Sequence, residues 1–351
     1  MKTSRYTQPL QWGILHGLND FTAGFMLAHF TNTSGSSGSF LFIIIYSIIG
    51  FGGQLPVGFW ADHKRQLRPF ANASVLLLPL AIFSYFFSPE VGIIISGFAS
   101  AFIHVTGGAV CLQVYENKTG PLGLFTAPGV LGLAAGGVLG HYGTWLLWPF
   151  AASSVVIGML IIKNQLPAYP SAQKRVKELD THDWIMLGIL LIMCFRSFIF
   201  DVINHVAHDF ENGILVIGIS AFAGKIIGGF LADRIGWKIF VYISLPIALL
   251  LFQFGKENIY ALGFGVACLQ SSVPITLLLM SRSLPLFPAT ASAMSLGTSI
   301  ALAGLPIYML DSRSQVINAY NQPLLTAIVF ILLFAGWVLA DRFLFKRKFN
   351  P

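Results

Sequence analysis

The chain has 351 residues, of which 55% are hydrophobic and only 10% are charged, and its formal net charge at pH 7 is +7. With a mean hydropathy of +0.74, it cannot be an ordinary soluble protein, because it has too little polar surface to cover an apolar core of this size. The basic residues are spread over short connecting segments rather than gathered in one stripe, which argues against a nucleic-acid-binding surface.

Twelve apolar runs follow one another along the chain, each near the length of roughly 20 residues that a helix needs to cross a bilayer. They fall at 10–30, 40–61, 70–88, 91–114, 122–140, 144–163, 184–206, 213–232, 239–254, 258–280, 285–309 and 323–345. One long polar connection separates the sixth run from the seventh. We therefore predict an all-α integral membrane protein of twelve transmembrane helices in two six-helix halves, 1–163 and 184–351, joined by a linker at 164–183.

The distribution of basic residues predicts the orientation in the membrane. Seventeen of the 21 Lys and Arg residues fall on the side that holds both ends of the chain, whereas only Lys256 and Arg313 fall in the opposite loops. Basic residues in short loops stay in the cytoplasm. We expect both termini to be cytoplasmic and the protein to be a multi-pass monomer of a bacterial cytoplasmic membrane.

The fifth run is rich in glycine. Gly129, Gly132, Gly136 and Gly140 recur at spacings of three and four residues after Pro128, which places small residues along one flank of a helix. This pattern predicts close packing against a neighbouring helix.

A short motif occurs twice, once at the end of the second run and once at the end of the eighth. The first copy holds Gly58, Asp62 and Arg65. The second copy holds Gly229, Asp233, Arg234, Gly236 and Lys238. In each copy a glycine that permits close helix approach precedes by four residues an aspartate that is able to cap a helix or pair with a cation.

This repeated motif resembles the signature between helices two and three, and between helices eight and nine, of the major facilitator superfamily of transporters. The first copy departs from the pattern, since His63 stands where Arg is usual and Arg65 where Gly is usual. The resemblance implies that both copies take part in the switch between outward-open and inward-open states. Plain capping of the loop is the alternative.

Two further segments resemble exporters of the fosmidomycin-resistance type within that superfamily. They are His16-Gly-Leu-Asn19-Asp20 in the first run and Phe102-Ile-His104 in the fourth. The second segment departs from that type, because Val105 follows the histidine where a proline is expected.

Polar residues inside the apolar runs are candidates for a transport site, because a charged group in a bilayer is costly and normally faces a cavity or a partner. In the superfamily the first, fourth, seventh and tenth helices line the central cavity, and the candidates named next lie on those four. The candidates for substrate binding are Arg196, His104, Gln270, Ser271 and Asn19, and the candidates for proton coupling are Asp20, His16 and Asp201.

Two alternatives concern these charged groups. In the first alternative, Asp20 and Arg196 form a fixed salt bridge that ties the two halves together and take no part in transport. Lys225 in the eighth run would snorkel to the membrane edge or pair within the C-terminal half.

The sequence has no phosphate-binding loop, nucleophile elbow or zinc-protease motif, which argues against an ATP-driven pump or an enzyme. We expect a secondary active transporter, a proton-coupled exporter of a small organic solute. Its partners would be the solute, a proton or other ion gradient and the lipid bilayer, with no nucleic acid, cofactor or metal. An uptake permease of the same fold and a non-transporting membrane sensor or assembly factor remain as alternatives.

Overall fold

The structure is a computed structural model that describes residues 6–169, 181–309, 330–331 and 333–338. Every regular element in that part of the chain is a helix. The N-terminal helices are α1 (Thr7–Ser34), α2 (Ser36–Ser47), α3 (Gln54–Lys64), α4 (Arg68–Tyr85), α5 (Pro89–Val114), α6 (Gly120–Leu139) and α7 (Leu147–Lys163). The C-terminal helices are α8 (Thr181–Ala207), α9 (Gly213–Ile235), α10 (Trp237–Phe254), α11 (Ile259–Gln270), α12 (Val273–Ser283), α13 (Pro288–Ala293) and α14 (Ser299–Met309).

Several of these elements join into longer helices. A π-helical turn at Ile48–Gly52 links α2 to α3, and a second one at Met294–Thr298 links α13 to α14. Likewise α11 and α12 form one apolar helix, Ile259–Ser283. Within the described residues, eight helices are long and apolar enough to cross a membrane. This supports an all-α membrane fold.

The helices begin and end at residues that the sequence marks. The side chain of Ser88 caps α5, accepting from the Val91 amide at 3.4 Å, and Asn258 caps α11 by accepting from the Tyr260 amide at 2.9 Å. Pro121 and Pro288 stand in the first turns of α6 and α13, where a missing amide hydrogen removes no helix bond.

Eleven of the twelve predicted runs fall on helices of the structure. The twelfth, at 323–345, lies mostly outside the described residues, as does much of the 164–183 linker. The count of twelve helices and the division into two halves at this linker stay predictions. Below, α1–α7 are called the N-terminal group and α8–α14 the C-terminal group.

Helices α1 and α6 cross at very close range, and glycine makes this possible. A Cβ atom at Gly132 would collide with the Gly17 carbonyl oxygen, and one at Gly136 would collide with that of Phe21. In return, a Cβ at Gly13 would collide with the carbonyl of Leu124. Backbone therefore lies directly on backbone, and the close packing predicted for the fifth run is confirmed.

Candidate functional site

A cavity of about 170 Å³ lies between the two groups of helices. Its lining includes ionisable side chains from both groups: His16, Asp20, His104, Arg196, Asp201 and Lys225. Ser47 and Phe51, at the first π-helical turn, and Ser295 and Leu296, at the second, also border it. Such turns are often found at functional sites.

In the N-terminal group, Asp20 lies between two histidines. Its Oδ2 atom is 3.1 Å from Nε2 of His16, one helical turn earlier on α1, and 3.9 Å from Nε2 of His104 on α5. The other carboxylate oxygen, Oδ1, accepts a hydrogen bond of 2.8 Å from the Asn19 amide. We call His16, Asp20 and His104 the Asp20 cluster.

Backbone carbonyls determine which nitrogen of each histidine carries a hydrogen. Nδ1 of His16 is 2.9 Å from the Phe125 carbonyl oxygen, and Nδ1 of His104 is 2.8 Å from that of Ser100. Since a carbonyl oxygen only accepts, each Nδ1 is the donor. A neutral ring then presents the lone pair of Nε2 to Asp20, so the 3.1 Å contact is favourable only if His16 and Asp20 share an additional proton. The cluster is therefore built to hold a proton.

The position of α6 leaves room for this cluster because residue 129 is a glycine. A Cβ atom at Gly129 would collide with Nε2 of His16 and would lie 2.6 Å from Oδ2 of Asp20. The glycine pattern of the fifth run thus serves the site as well as the packing.

In the C-terminal group, two cations border the cavity without a carboxylate partner in the described residues. Arg196 on α8 is buried, and its guanidinium donates to Oγ1 of Thr276 at 2.6 Å. Lys225 on α9 is half-buried, and its ammonium group donates to the Thr126 carbonyl of α6 at 3.3 Å. Positive charge on this wall of the cavity suits an anionic ligand.

Two sequence interpretations are corrected by these contacts. The alternative of a salt bridge between Asp20 and Arg196 is wrong in this structure, because Asp20 pairs with histidine and Arg196 with a hydroxyl. Lys225 neither snorkels nor pairs within its own group. It points between the groups because its helix crosses α6, a crossing that no single-helix pattern reveals.

The remaining candidates divide into those that border the cavity and those that do not. Gln270 and Asp201 border it, and a carboxylate oxygen of Asp201 would lie 2.9 Å from a Cβ at Gly304. Ser271 turns its hydroxyl to the Cys268 carbonyl at 2.6 Å, and Asn19 is fully buried behind Asp20. Neither Ser271 nor Asn19 is among the residues that line the cavity.

The first copy of the repeated motif reaches across to the C-terminal group. Asp62 accepts hydrogen bonds from the amides of Ala289 at 3.1 Å and Thr290 at 2.7 Å, in the first turn of α13. Gly58 makes this approach possible, since a Cβ there would lie 2.8 Å from the Ala289 carbonyl oxygen. A carboxylate at the positive end of a helix is stabilised by the unpaired amides and by the helix dipole.

The second copy makes the reciprocal contact to the N-terminal group. Asp233 accepts from the amides of Thr119 at 2.8 Å and Gly120 at 2.9 Å, where α6 begins. Here a Cβ at Gly229 would lie 2.8 Å from the Thr119 carbonyl oxygen. Both copies therefore use the glycine for clearance and the aspartate as a helix cap in the other group.

Both contacts lie at one end of the helix bundle, which we call the latched end. Arg282, close after the apolar part of α12, donates to Oδ1 of Asn117 at 3.2 Å there. Tyr169 also reaches this end, and its hydroxyl donates to Asp62 at 3.0 Å. Burial and the nearby Asp62 charge raise the pKa of the Tyr169 phenol, so it stays protonated and remains a donor.

The other motif residues shape the ends of the helices. Arg65 ends α3 with φ at 54°, and Gly236 ends α9 with φ at 87°. These two equivalent positions both have a positive φ, which explains why glycine is usual there. Arg234 is exposed, and the Lys238 ammonium lies 5.8 Å from the ring centroid of Trp237.

No protein-family model matches the sequence, and no curated protein is significantly similar to it. Solved structures of transporters do match. The E. coli fucose:proton symporter has a TM-score of 0.70 at 13% identity, covering 95% of this chain and 96% of the symporter.

Two further structures match over similar lengths. The human organic anion transporter MFSD10 has a TM-score of 0.60 at 16% identity, covering 94% of this chain and 99% of its own. A bacterial homologue of the iron transporter ferroportin has a TM-score of 0.64 at 13% identity, with coverage of 97% and 99%. The chain therefore has the fold of major facilitator transporters. The narrower resemblance to exporters of the fosmidomycin-resistance type stays a prediction.

Proposed function

We propose that this protein is a secondary active transporter that exports a small organic anion in exchange for protons. The observation that carries the proposal is the central cavity, which joins a proton-holding cluster on one wall to two cations on the other. Both kinds of group lie between helix groups that would move relative to each other in alternating access.

In this proposal Arg196 binds the anionic group of the solute, and Lys225 and Gln270 supply further contacts. Arg196 is buried, and its planar guanidinium suits a carboxylate or phosphate, to which it is able to donate two parallel hydrogen bonds. All three residues of the Asp20 cluster border the cavity, so solute binding would affect the proton directly.

The proton would reside on the Asp20 cluster. Protonation of Asp20 or His16 changes the charge of the N-terminal wall by one unit, which changes its attraction for an anion held by the C-terminal wall. Asp201 is a second carboxylate in the same cavity. Its role in coupling is tested against that of Asp20 below.

The two motif contacts would hold one of the alternating states. On the orientation predicted from the basic residues, the latched end faces the cytoplasm, so this arrangement is the outward-facing one. Two of the matching structures are described as outward-facing, the fucose transporter with a TM-score of 0.71 and the ferroportin homologue with 0.64. Their likeness supports this reading of the state.

Uptake by proton symport is the second candidate, and the likeness to the fucose:proton symporter favours it. The two candidates differ in the direction of the proton gradient that drives accumulation. In liposomes that hold the protein in one orientation, an exporter moves solute away from its cytoplasmic side while protons move toward that side. A symporter moves solute and protons in the same direction.

The test begins with purified protein and a panel of small organic anions and neutral analogues. A true ligand raises the melting temperature by mass action. In an Arg196→Ala variant the apparent affinity derived from this shift should fall tenfold or more, as expected for the loss of a charge-assisted contact. A neutral solute that stabilises the protein as well as any anion would contradict the proposed substrate class.

Proton coupling is tested with the solute that the panel identifies. Asp20→Asn should abolish accumulation driven by a pH gradient while exchange of labelled for unlabelled solute continues, because exchange needs no net proton movement. Asp201→Asn is the matched control in the same cavity. If Asp201→Asn abolished driven transport and Asp20→Asn did not, the proton would reside on the other carboxylate.

A further inference from the structure

We propose that His16, Asp20 and His104 form a binding site for one divalent transition-metal ion, open on its remaining side to the central cavity. The sequence alone predicts no metal, since nothing in it shows that His104 on α5 lies beside His16 and Asp20 on α1. The inference concerns a different ligand from the organic anion and does not depend on it.

The three ligand atoms converge. One ring nitrogen of His16, one of His104 and a carboxylate oxygen of Asp20 all lie within 4.8 Å of one another, and Nε2 is the nitrogen that faces Oδ2 of Asp20 in each ring. The separations from Oδ2 are 3.1 Å and 3.9 Å. Ligand bonds of about 2.0–2.2 Å place neighbouring donor atoms about 3.0–3.5 Å apart, so the two contacts of Oδ2 are already close to these distances and the two histidines would have to approach each other by at most about 1.3 Å.

Each ligand is held by its other polar atom, as in established metal sites. The second nitrogen of His16 is bound by the Phe125 carbonyl, and that of His104 by the Ser100 carbonyl. The second oxygen of Asp20 accepts from Asn19. Each residue therefore keeps one donor atom free for an ion, and whereas a single proton satisfies one pair of these atoms, a metal ion satisfies all three.

The donor set determines the class of ion. Two imidazole nitrogens and one carboxylate suit zinc and the first-row ions Mn²⁺, Fe²⁺, Co²⁺, Ni²⁺ and Cu²⁺, whereas Mg²⁺ and Ca²⁺ prefer oxygen alone. Three protein ligands leave coordination positions for water or cargo, and the cavity lies on that side because all three residues line it.

The charge of the cavity links a cation at the cluster to an anion on the opposite wall. With both histidines neutral, the negative charges of Asp20 and Asp201 equal the positive charges of Arg196 and Lys225 in number. A bound dication would leave an excess of positive charge. An anion at Arg196 and Lys225 would therefore strengthen metal binding, and the metal would strengthen anion binding by the same factor.

Cobalt is the first probe. Titration of Co²⁺ into purified, tag-free protein should produce visible absorption bands that saturate at one ion per chain, and Zn²⁺ but not Mg²⁺ should abolish them. Binding should weaken at least about tenfold in His104→Gln and Asp20→Asn. The matched control is His141→Gln. His141 is exposed and contacts Asn32, which lies on α1 far from the cluster, so this change should leave the affinity within twofold.

A second measurement needs no substitution and so does not depend on variants that fold. Cu²⁺ bound to the unchanged protein should show electron paramagnetic resonance couplings to two imidazole nitrogens. Couplings to fewer than two would overturn the proposal, as would unsaturable Co²⁺ binding or an equal effect of His104→Gln and His141→Gln. If the protein binds no metal but still exchanges an organic anion for protons in metal-free liposomes, the metal site is wrong and the proposed transport function stands.

Discussion

Gly129 is the residue on which the geometry of the Asp20 cluster depends most directly. Alanine at this position would bring a methyl group into collision with Nε2 of His16 and to within 2.6 Å of Oδ2 of Asp20. We expect Gly129→Ala to displace the cluster and to abolish accumulation driven by a pH gradient, with a cost in stability of about 1–3 kcal/mol from overpacking. The measurements are driven transport in liposomes and the melting temperature.

Gly137 offers a matched control on the same helix. A Cβ atom there has no neighbour within 4 Å, so Gly137→Ala makes the same chemical change without a collision and should leave both transport and melting temperature nearly unchanged. Binding of the anion should survive in Gly129→Ala, because Arg196 stands on the other wall of the cavity. Normal driven transport in Gly129→Ala would show that the cluster does not hold the coupling proton.

Each motif aspartate holds the first turn of one helix: Asp62 holds that of α13, and Asp233 holds that of α6. In Asp62→Asn, an NH₂ group replaces one carboxylate oxygen, so the side chain accepts from only one of the two backbone amides, that of Ala289 or that of Thr290. The loss of one hydrogen bond costs about 1 kcal/mol, so we expect a roughly fivefold shift away from the latched state, measured as faster labelling of a cysteine placed at the latched end.

The second contact permits a test of independence. Asp62 and Asp233 share no partner among the hydrogen bonds of the described residues, so Asp62→Asn and Asp233→Asn should shift the equilibrium additively. His63→Gln is the control, because His63 is exposed beside Asp62 and its change should have little effect. Equal labelling in Asp62→Asn and His63→Gln would favour plain loop capping.

The apolar runs were enough to predict most helices, because hydrophobicity over 20 residues is a local property. The glycine spacing of the fifth run predicted close packing for the same reason. The direction of Lys225 was not predictable, since it depends on which neighbour lies across α9. Nor did the sequence reveal that Asn19 supports Asp20 from behind, or that Ser271 turns to its own helix, because both depend on helix rotation about its axis.

At the scale of the whole molecule, the two groups of helices line opposite sides of the cavity, and each group caps the start of a helix in the other group. Rigid-body motion of one group against the other would have to break both motif contacts together. The contact between Asn117 and Arg282 spans the same end and lies at the surface. It therefore marks a place where the latched arrangement is open to chemical locking.

We expect a reducible cross-link between Asn117→Cys and Arg282→Cys to stop transport while anion binding continues, because the lock holds the latched end closed and leaves the cavity intact. Cys111, Cys194 and Cys268 are free in the structure and would first be replaced by alanine. A bis-methanethiosulfonate reagent forms the link, and reduction should restore transport. Each single-cysteine variant with the same reagent is the control. Transport at the normal rate in the fully linked protein would mean that the solute crosses without opening of the latched end, which alternating access does not allow.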